Sequence, residues 1–231
     1  MYDIKETFRA NSVPEALELL RAHPGAIPVC GGTDVMIHLK ERKLRQAALV
    51  GIMDIASLQG IYLEQTGDLF IGSGTCFDSI YQNPLARACV PMLADACNQV
   101  GSPQIRSVAT IGGNLCNGAV RAPSLLVLNA ELELTSLEGK RVVKAVDFHT
   151  GPGKTVLETD RELLTGIRIP KRPMKATVEN TSNSVSETPW KLLRSAARST
   201  ARCRRMEPSA ILPSPLAWPL RVRSAAQKRN R

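Results

Sequence analysis

The sequence predicts an α+β fold of two lobes, a small β-α-β lobe followed by a larger lobe with mixed, mainly antiparallel strands. Strand, helix and strand succeed one another within residues 27–53, an order typical of a parallel pair. Further along, Thr66-Gly67-Asp68 separates two short apolar runs, which is the signature of a hairpin. The expected domains are residues 1–56, residues 57–173 and a C-terminal tail over residues 174–231.

The small lobe is predicted to begin with a helix capped by Ser12, because Pro14 and Glu15 suit a first helical turn. His23-Pro24-Gly25 ends its apolar face. The remaining elements of this lobe are predicted as a strand, a helix and a strand, over residues 27–30, 34–42 and 47–53.

The larger lobe is predicted to open with the hairpin, whose strands fall within residues 60–64 and 68–73. Pro84 and Gly101-Ser102-Pro103 bound a long apolar period that predicts one helix over residues 85–100. The other predicted elements are a helix over residues 77–81 and strands over residues 130–136, 140–143 and 163–169.

Charge is distributed unevenly along the 231 residues, whose formal net charge is +9. From residue 171 to the end there are 14 Lys and Arg against 3 Asp and Glu, whereas residues 1–170 hold 16 against 18. Nucleic-acid binding requires basic residues on a folded face, with aromatic side chains between them, and residues 1–170 offer neither. We expect no nucleic-acid partner. The C-terminal tail lacks apolar periodicity, which predicts disorder.

The six cysteines form no C-x-x-C pair and have no histidine at ligand spacing, which favours buried free thiols in a reducing compartment over a metal site. The sequence contains no apolar run long enough to span a membrane and no leader pattern at its start. We therefore expect a cytoplasmic chain with no bound metal and no membrane partner.

Two glycine pairs are the main candidates for a binding site. Gly31-Gly32 follows an apolar strand and precedes Thr33-Asp34 at a helix start. Glycine lets the backbone turn sharply and approach a ligand closely, and N–H groups at a helix start are available to an anion. Residues 110–114 repeat the pattern with Gly112-Gly113. Either pair alone is equally compatible with a plain turn, but the repetition favours a phosphate or diphosphate ligand.

A third glycine-rich segment, Gly151-Pro152-Gly153-Lys154-Thr155, is not interpreted as a nucleotide-triphosphate loop. That motif needs a glycine where Phe148 stands, and no strong helical pattern follows. The three histidines are far apart in the sequence and have no ligand or nucleophile pattern around them, so no catalytic residue is assigned.

Several segments occur together in the order found in one known family. They are Val29-Cys30-Gly31-Gly32-Thr33-Asp34-Val35, Gly74-Thr75, Gln104-Ile105-Arg106-Ser107-Val108-Ala109-Thr110-Ile111-Gly112-Gly113-Asn114-Leu115-Cys116-Asn117-Gly118 and Phe148-His149-Thr150-Gly151-Pro152-Gly153-Lys154-Thr155. Over roughly residues 1–173, the chain resembles the FAD-binding subunits of molybdenum hydroxylases, most closely those of bacterial xanthine dehydrogenases.

The resemblance implies a vanillyl-alcohol-oxidase-type (PCMH-type) FAD-binding domain, in which two α+β lobes clasp an extended FAD. Backbone N–H groups of residues 27–34 would wrap the pyrophosphate, and residues 110–114 would close over it from the other lobe. Leu163 would pack near the adenine. The residues so implied are Ile27, Pro28, Val29, Cys30, Gly31, Gly32, Thr33 and Asp34, then Thr110, Ile111, Gly112, Gly113 and Asn114, and finally Leu163.

The activity implied by the resemblance is electron transfer, within purine catabolism for a xanthine dehydrogenase. Substrate is hydroxylated at a molybdenum cofactor on one partner subunit, 2Fe–2S clusters on an iron–sulfur partner subunit relay the electrons, and FAD passes hydride to NAD⁺. The alternatives left open are another molybdenum hydroxylase, acting on carbon monoxide, nicotinate or an aldehyde, and a non-enzymatic protein that binds partners through its basic tail.

The chain departs from the family pattern in two places. After residue 120 a Ser-x-Asp segment is missing, and with it a cofactor contact. Beyond residue 173 the family's C-terminal domain is replaced by Ser, Thr, Arg and Pro, so that an incomplete subunit of doubtful activity is expected. One hypothesis is that the tail is translated out of frame, and the alternative is a natural basic tail that binds acidic partners.

Overall fold

Three parallel strands and two helices form the small lobe. The structure, a computed structural model, describes residues 2–118 and 123–171. The elements of the small lobe are β1 (Ile4–Arg9), α1 (Val13–Ala22), β2 (Ile27–Val29), α2 (Thr33–Lys40) and β3 (Ala47–Gly51). The strand order is β1-β3-β2, and both pairs are parallel. The predicted parallel β-α-β unit is therefore confirmed, with β3 at its centre.

Helix α1 forms as its capping sequence predicts. The N–H of Glu15 donates to Ser12 Oγ over 3.3 Å, and Pro14 lies in the first turn. Leu17 and Leu20, spaced three residues apart, are fully buried against the sheet. The capping residues and the spacing of the apolar residues thus both predict this helix.

Strand β1 has no counterpart among the predicted elements. Every second residue of Ile4–Arg9 is polar or charged, and most of the strand is exposed at the sheet edge. Strand β3, which it pairs with, carries the fully buried Val50. An edge strand gains most of its stability from pairing with its neighbour, so its own sequence carries a weak signal.

The strands of the large lobe are β4 (Ile61–Leu63), β5 (Leu69–Gly72), β6 (Glu131–Ser136), β7 (Lys140–Lys144), β8 (His149–Gly151), β9 (Lys154–Thr155) and β10 (Glu162–Ile169). A five-stranded antiparallel sheet has the order β4-β5-β10-β6-β7. The hairpin about Gly67 and the strands on either side of Gly139 are confirmed. The last strand in sequence, β10, lies in the middle of the sheet.

Helices cover one face of this sheet. They are α3 (Phe77–Gln82), α4 (Pro84–Cys89), α5 (Pro91–Asn98), α6 (Pro103–Arg106), α7 (Ile111–Cys116), α8 (Pro123–Val127) and α9 (Ala145–Phe148). The fully buried Ile80 and Phe148 pack with Ile71 and Ile167 of the sheet.

The single helix predicted over residues 85–100 is wrong, because the chain breaks into α4 and α5 at Val90-Pro91. Val90 has φ −137° and ψ 55°, outside the helical region, and Pro91 begins the next helix. Proline lacks an N–H donor and disfavours a helical residue before it, which explains the break.

The two lobes share part of one hydrophobic core. Leu58, which follows the predicted boundary at residue 56, and Leu163 of β10 pack in the same cluster as Leu17 and Leu20 of α1. A second link is polar, since the N–H of Gly25 donates to Asp160 Oδ1 over 3.2 Å. The lobes are thus joined by apolar packing as well as by the chain.

No helix within residues 2–118 and 123–171 is long and apolar enough to cross a membrane. The predictions for the C-terminal tail, for its frame of translation and for the missing segment after residue 120 fall on residues 119–122 and 172–231. Those residues lie outside the part of the chain that the structure describes.

An ion pair beside β10 gives the fold a specific pH dependence. Arg141 donates to both carboxylate oxygens of Glu162, over 2.6 and 2.7 Å, and the N–H of Glu158 adds a third bond. Chiefly through Arg141, these contacts lower the pKa of Glu162, whose side chain is 10 % exposed. Stability from this group is present above the ordinary carboxyl pKa and is lost as pH falls through the lowered value.

We expect Glu162→Gln to lower the free energy of unfolding by about 1–3 kcal/mol near pH 7. The variant should also lose less stability than the parent when pH falls below about 4.5, because its amide does not titrate. Urea titrations across pH 3–7 measure both effects, with Glu138→Gln in an exposed turn as the matched control. Parallel stability curves for parent and Glu162→Gln would contradict this assignment.

Candidate functional site

The first glycine segment lies between β2 and α2, at the carboxyl end of the parallel sheet. Gly32 has φ +67° and is the N-cap of α2, so its left-handed backbone suits glycine. No side chain caps this helix start, because the capping residue is a glycine and Thr33 is already helical. The Thr33 hydroxyl and the Asp34 carboxylate therefore leave the N–H groups at the start of the helix uncapped.

The helix start retains unused donors. Within the described ranges, the N–H groups of Gly32, Thr33 and Asp34 donate to no backbone carbonyl, and no side chain caps them. The Thr33 hydroxyl has no recorded partner there either, while Asp34 Oδ2 lies 3.9 Å from His38 Nε2. Free N–H groups at the positive end of a helix dipole form an anion site.

The two predicted segments meet directly. A Cβ placed on Gly31 would overlap the carbonyl oxygen of Val108 and lie 3.1 Å from the Cα of Ala109. Backbone therefore packs on backbone between the lobes, immediately before Thr110. Only glycine allows this approach, which brings together segments nearly eighty positions apart in sequence.

The second glycine pair does not form the predicted turn. Gly112 and Gly113 lie in the first turn of α7, with Thr110 as N-cap. The Thr110 hydroxyl accepts from the N–H of Gly113 over 3.2 Å. Two neighbouring carbonyls accept the other early donors, from Ile111 N to Thr75 O over 3.1 Å and from Gly112 N to Ser73 O over 2.8 Å. These contacts outweigh the low helix propensity of glycine.

The donors of this second segment are consequently used inside the protein. The N–H of Asn114 also has an acceptor, Thr110 O at 3.0 Å. Two groups of the segment remain available to a ligand. One is the half-buried side-chain amide of Asn114, which makes no hydrogen bond within the described residues, and the other is the exposed backbone of Gly113. This side of the site can therefore contact a ligand through the Asn114 side-chain amide and the Gly113 backbone.

Cys30 lies directly before the glycines of the first segment. Burial raises the pKa of its thiol, and hydrogen bonding to the Thr110 side chain and the Gly31 backbone partly offsets this rise in pKa. Cys30 Sγ also lies 3.6 Å from Met53 Sδ. The thiol stays neutral, so it adds no negative charge beside an anion site.

The other predicted site residues lie farther from the junction. Val29 ends β2 next to the glycines, whereas Ile27 begins that strand and lines a cavity at its amino end. Pro28 lies between them. Leu163 is 3 % exposed in the shared core. The structure thus brings residues 29–34 and 108–114 together, with Ile27 and Leu163 at a distance along their strands.

The supporting residues Ser73 and Thr75 were not among the predicted site residues. Both are buried, and both lend their carbonyls to α7. A Cβ on Gly112 would lie 2.7 Å from Ser73 Cβ, so the glycine fits tightly there. The clue in the sequence is Gly72-Ser73-Gly74-Thr75, whose small residues allow a close approach.

Residues 3–172 match the family described as the FAD binding domain in molybdopterin dehydrogenase. The chain belongs to this family. Its curated relatives include the xanthine dehydrogenase FAD-binding subunit of Escherichia coli O157:H7, 41% identical over 176 residues, which cover 75% of this chain and 60% of the relative. The carbon monoxide dehydrogenase medium chain of Afipia carboxidovorans is 37% identical, covering 71% and 58% respectively.

Solved structures show the same fold. The Cu,Mo-CO dehydrogenase in its cyanide-inactivated form superposes with a TM-score of 0.70 at 34% identity, covering 75% of this chain and 61% of the other. Quinoline 2-oxidoreductase from Pseudomonas putida 86 gives 0.70 at 26% identity, covering 74% and 60%. The two-lobed PCMH-type architecture is thereby confirmed. This FAD-binding family member spans about 60% of the length of the curated relatives it matches.

The residues present fit a bound FAD. Gly31 and Gly32 leave a cradle without side chains, and the free N–H groups at α2 match an extended diphosphate. Within the described residues no cluster of His, Cys, Asp and Glu could hold a metal ion. The donors that the site does offer are backbone N–H groups, which suit an organic anion.

Proposed function

We propose that this chain is the FAD-binding electron-transfer subunit of a xanthine dehydrogenase-like molybdenum hydroxylase. The observation that carries the proposal is the junction of Gly31 with Val108, because it sets the unused N–H groups of α2 beside the second segment. Support also comes from relatives whose names include xanthine dehydrogenase.

In this proposal, the N–H groups of Gly32, Thr33 and Asp34 would hold the diphosphate of FAD, as the helix dipole favours. Asn114 would donate its amide from the large lobe, and the neutral Cys30 thiol would exclude water without adding charge. Leu163 would support the adenine end from within the core. The flavin, when bound, would collect single electrons from iron–sulfur donors and pass two of them, as a hydride, to NAD⁺.

The partners proposed are a molybdenum-cofactor subunit and an iron–sulfur subunit, and the compartment proposed is the cytoplasm. Names such as "medium chain" among the relatives support a multi-subunit assembly. All five cysteines in the described residues are free thiols, which supports a reducing compartment. A carbon monoxide or nicotinate type of hydroxylase is supported by relatives at 37% and 34% identity.

The test is the flavin content of the purified full chain before and after incubation with FAD. We expect a flavin spectrum that persists through gel filtration, released as FAD rather than FMN on heating, because the diphosphate is the group the site holds. Anaerobic NADH should then bleach the flavin if NAD⁺ is the acceptor. A chain that folds but takes up no FAD would refute the proposal.

A further inference from the structure

The five-stranded sheet of the large lobe ends on one side at β4, whose sequence is Ile61-Tyr62-Leu63. The outer edge of a sheet presents unpaired N–H and C=O groups, which can pair with a strand of another chain. Proteins normally discourage such pairing by placing charged residues or proline on the edge strand. Strand β4 has neither, so its edge lacks these protections.

The other edge strands do carry such residues. Strand β7, at the opposite edge of the same sheet, has cationic residues at three of its five positions. In the small lobe, three of the six residues of β1 are charged, and β2 contains Pro28. Among the edge strands of these two sheets within residues 2–118 and 123–171, β4 alone has neither charge nor proline.

The outward backbone groups of β4 belong to Ile61 and Leu63. Residue pairs in antiparallel strands alternate between hydrogen-bonded and non-hydrogen-bonded positions. The bond from Glu64 N to Asp68 O, over 2.9 Å, fixes this alternation between β4 and β5. It makes Tyr62 the hydrogen-bonded residue of β4, so that the N–H and C=O groups of Ile61 and Leu63 point away from the sheet.

Two apolar side chains of β4 are half exposed beside these backbone groups. Tyr62 is 50% exposed and Leu63 is 47% exposed. Tyr62 stacks on Phe70 of β5 with the ring centroids 4.9 Å apart, which holds its ring in place next to the edge. A strand that paired with β4 would cover both side chains and satisfy the outward backbone groups.

We propose that β4 pairs, antiparallel, with β4 of a second copy of this chain, so that the two five-stranded sheets become one continuous sheet. With the two Tyr62 residues opposite each other, Ile61 of one copy lies opposite Leu63 of the second, and these pairs exchange N–H and C=O bonds. A twofold axis between the tyrosines relates the two copies, as in other isologous dimers. The tyrosines then form a non-hydrogen-bonded pair, whose Cα atoms lie only about 4.5 Å apart, so the rings can pack together.

The charges beside β4 are compatible with a second copy, whereas those on β7 oppose one. In the proposed register, Glu64 lies opposite Gly60 of the second copy, so no like charges meet. The same arrangement on β7, centred on Val142, would set Lys140 directly opposite Lys144 of the other copy. The uncharged and self-complementary edge of β4 therefore favours a second copy as its occupant.

The short length of β4 predicts a weak dimer. Stable protein interfaces bury about 1,200–2,000 Å² in total, which is more than a three-residue strand from each copy covers. The pairing should therefore be reversible and should increase with the protein concentration.

Sedimentation velocity of the full chain over a series of concentrations tests the dimer. Tyr62→Lys and Tyr62→Glu each set like charges directly opposite each other, whereas a mixture of the two variants sets a lysine opposite a glutamate. Leu63→Pro is an independent test, because it removes an outward N–H that β5 does not use. Val142→Lys, at an equally exposed position on β7, is the matched control. Circular dichroism verifies that each variant is folded.

We expect the parent to dimerise as its concentration rises, and each Tyr62 variant and Leu63→Pro to self-associate at least about tenfold more weakly. The mixture of Tyr62→Lys and Tyr62→Glu should recover the association of the parent, and Val142→Lys should dimerise as the parent does. A parent that stays monomeric, or a mixture that does, would overturn the proposal. So would a folded Tyr62 or Leu63 variant that associates like the parent, since the contact would then lie elsewhere, for example in residues 172–231.

Discussion

Gly31→Ala is expected to remove bound FAD from the chain, lowering retention at least tenfold, which corresponds to about 1.4 kcal/mol. The added Cβ would overlap the Val108 carbonyl oxygen and lie 2.7 Å from its carbon. Because these are backbone atoms, no rotamer change relieves the contact. The two segments must separate, and the N–H groups of α2 lose their position opposite the large lobe.

Flavin absorbance per protein after gel filtration measures this effect, with the melting temperature recorded alongside. Gly151→Ala is the matched control, because nothing lies within 4 Å of a Cβ at that position and its φ is not in the left-handed range. The control should keep both its flavin and its melting temperature. Full flavin retention by Gly31→Ala would contradict the placement of the cofactor at this junction.

Leu163→Ala is expected to destabilise the protein by about 2–5 kcal/mol, the range found for large-to-small changes in cores. Leu163 is 3 % exposed and packs among Leu17, Leu20 and Leu58, so its removal leaves a cavity where the lobes join. Urea unfolding followed by circular dichroism measures the loss. Weaker FAD binding should accompany it, since the cofactor lies between the lobes in the proposed function.

Leu163→Met is the control for shape, because it keeps most of the volume and should cost less than about 1.5 kcal/mol. Measuring stability in the absence of FAD separates packing from ligand linkage. An alanine variant as stable as the methionine variant would show that Leu163 does not support the shared core.

The sequence carries a clear signal wherever local chemistry and tertiary contacts agree. Ser12 and Pro14 mark the start of α1, and Gly67 and Gly139 mark hairpin turns that the structure contains. The first glycine pair lies between a strand and a helix, as its neighbours in the sequence predict. Gly112-Gly113 looked the same, yet it is helical because the carbonyls of Ser73 and Thr75 accept its early donors.

The contact between Gly31 and Val108 has no local signature. It depends on how the two lobes pack, so the sequence predicts two candidate segments and the structure brings them together. The sequence also does not show which backbone N–H groups of the two segments stay unused. That depends on acceptors far away in the sequence, such as the carbonyls of Ser73 and Thr75. Strand β1 was missed for a related reason, since its stability comes from pairing with β3.

The position of β10 determines when the five-stranded sheet of the large lobe can form during synthesis. Hairpins β4-β5 and β6-β7 pair with each other only through this strand, which is made after both of them. A nascent chain therefore leaves the ribosome with two open strand edges, on β5 and β6, exposed to other chains. The same late strand contributes Leu163 to the small lobe, so chaperone protection should matter until Ile169 has emerged.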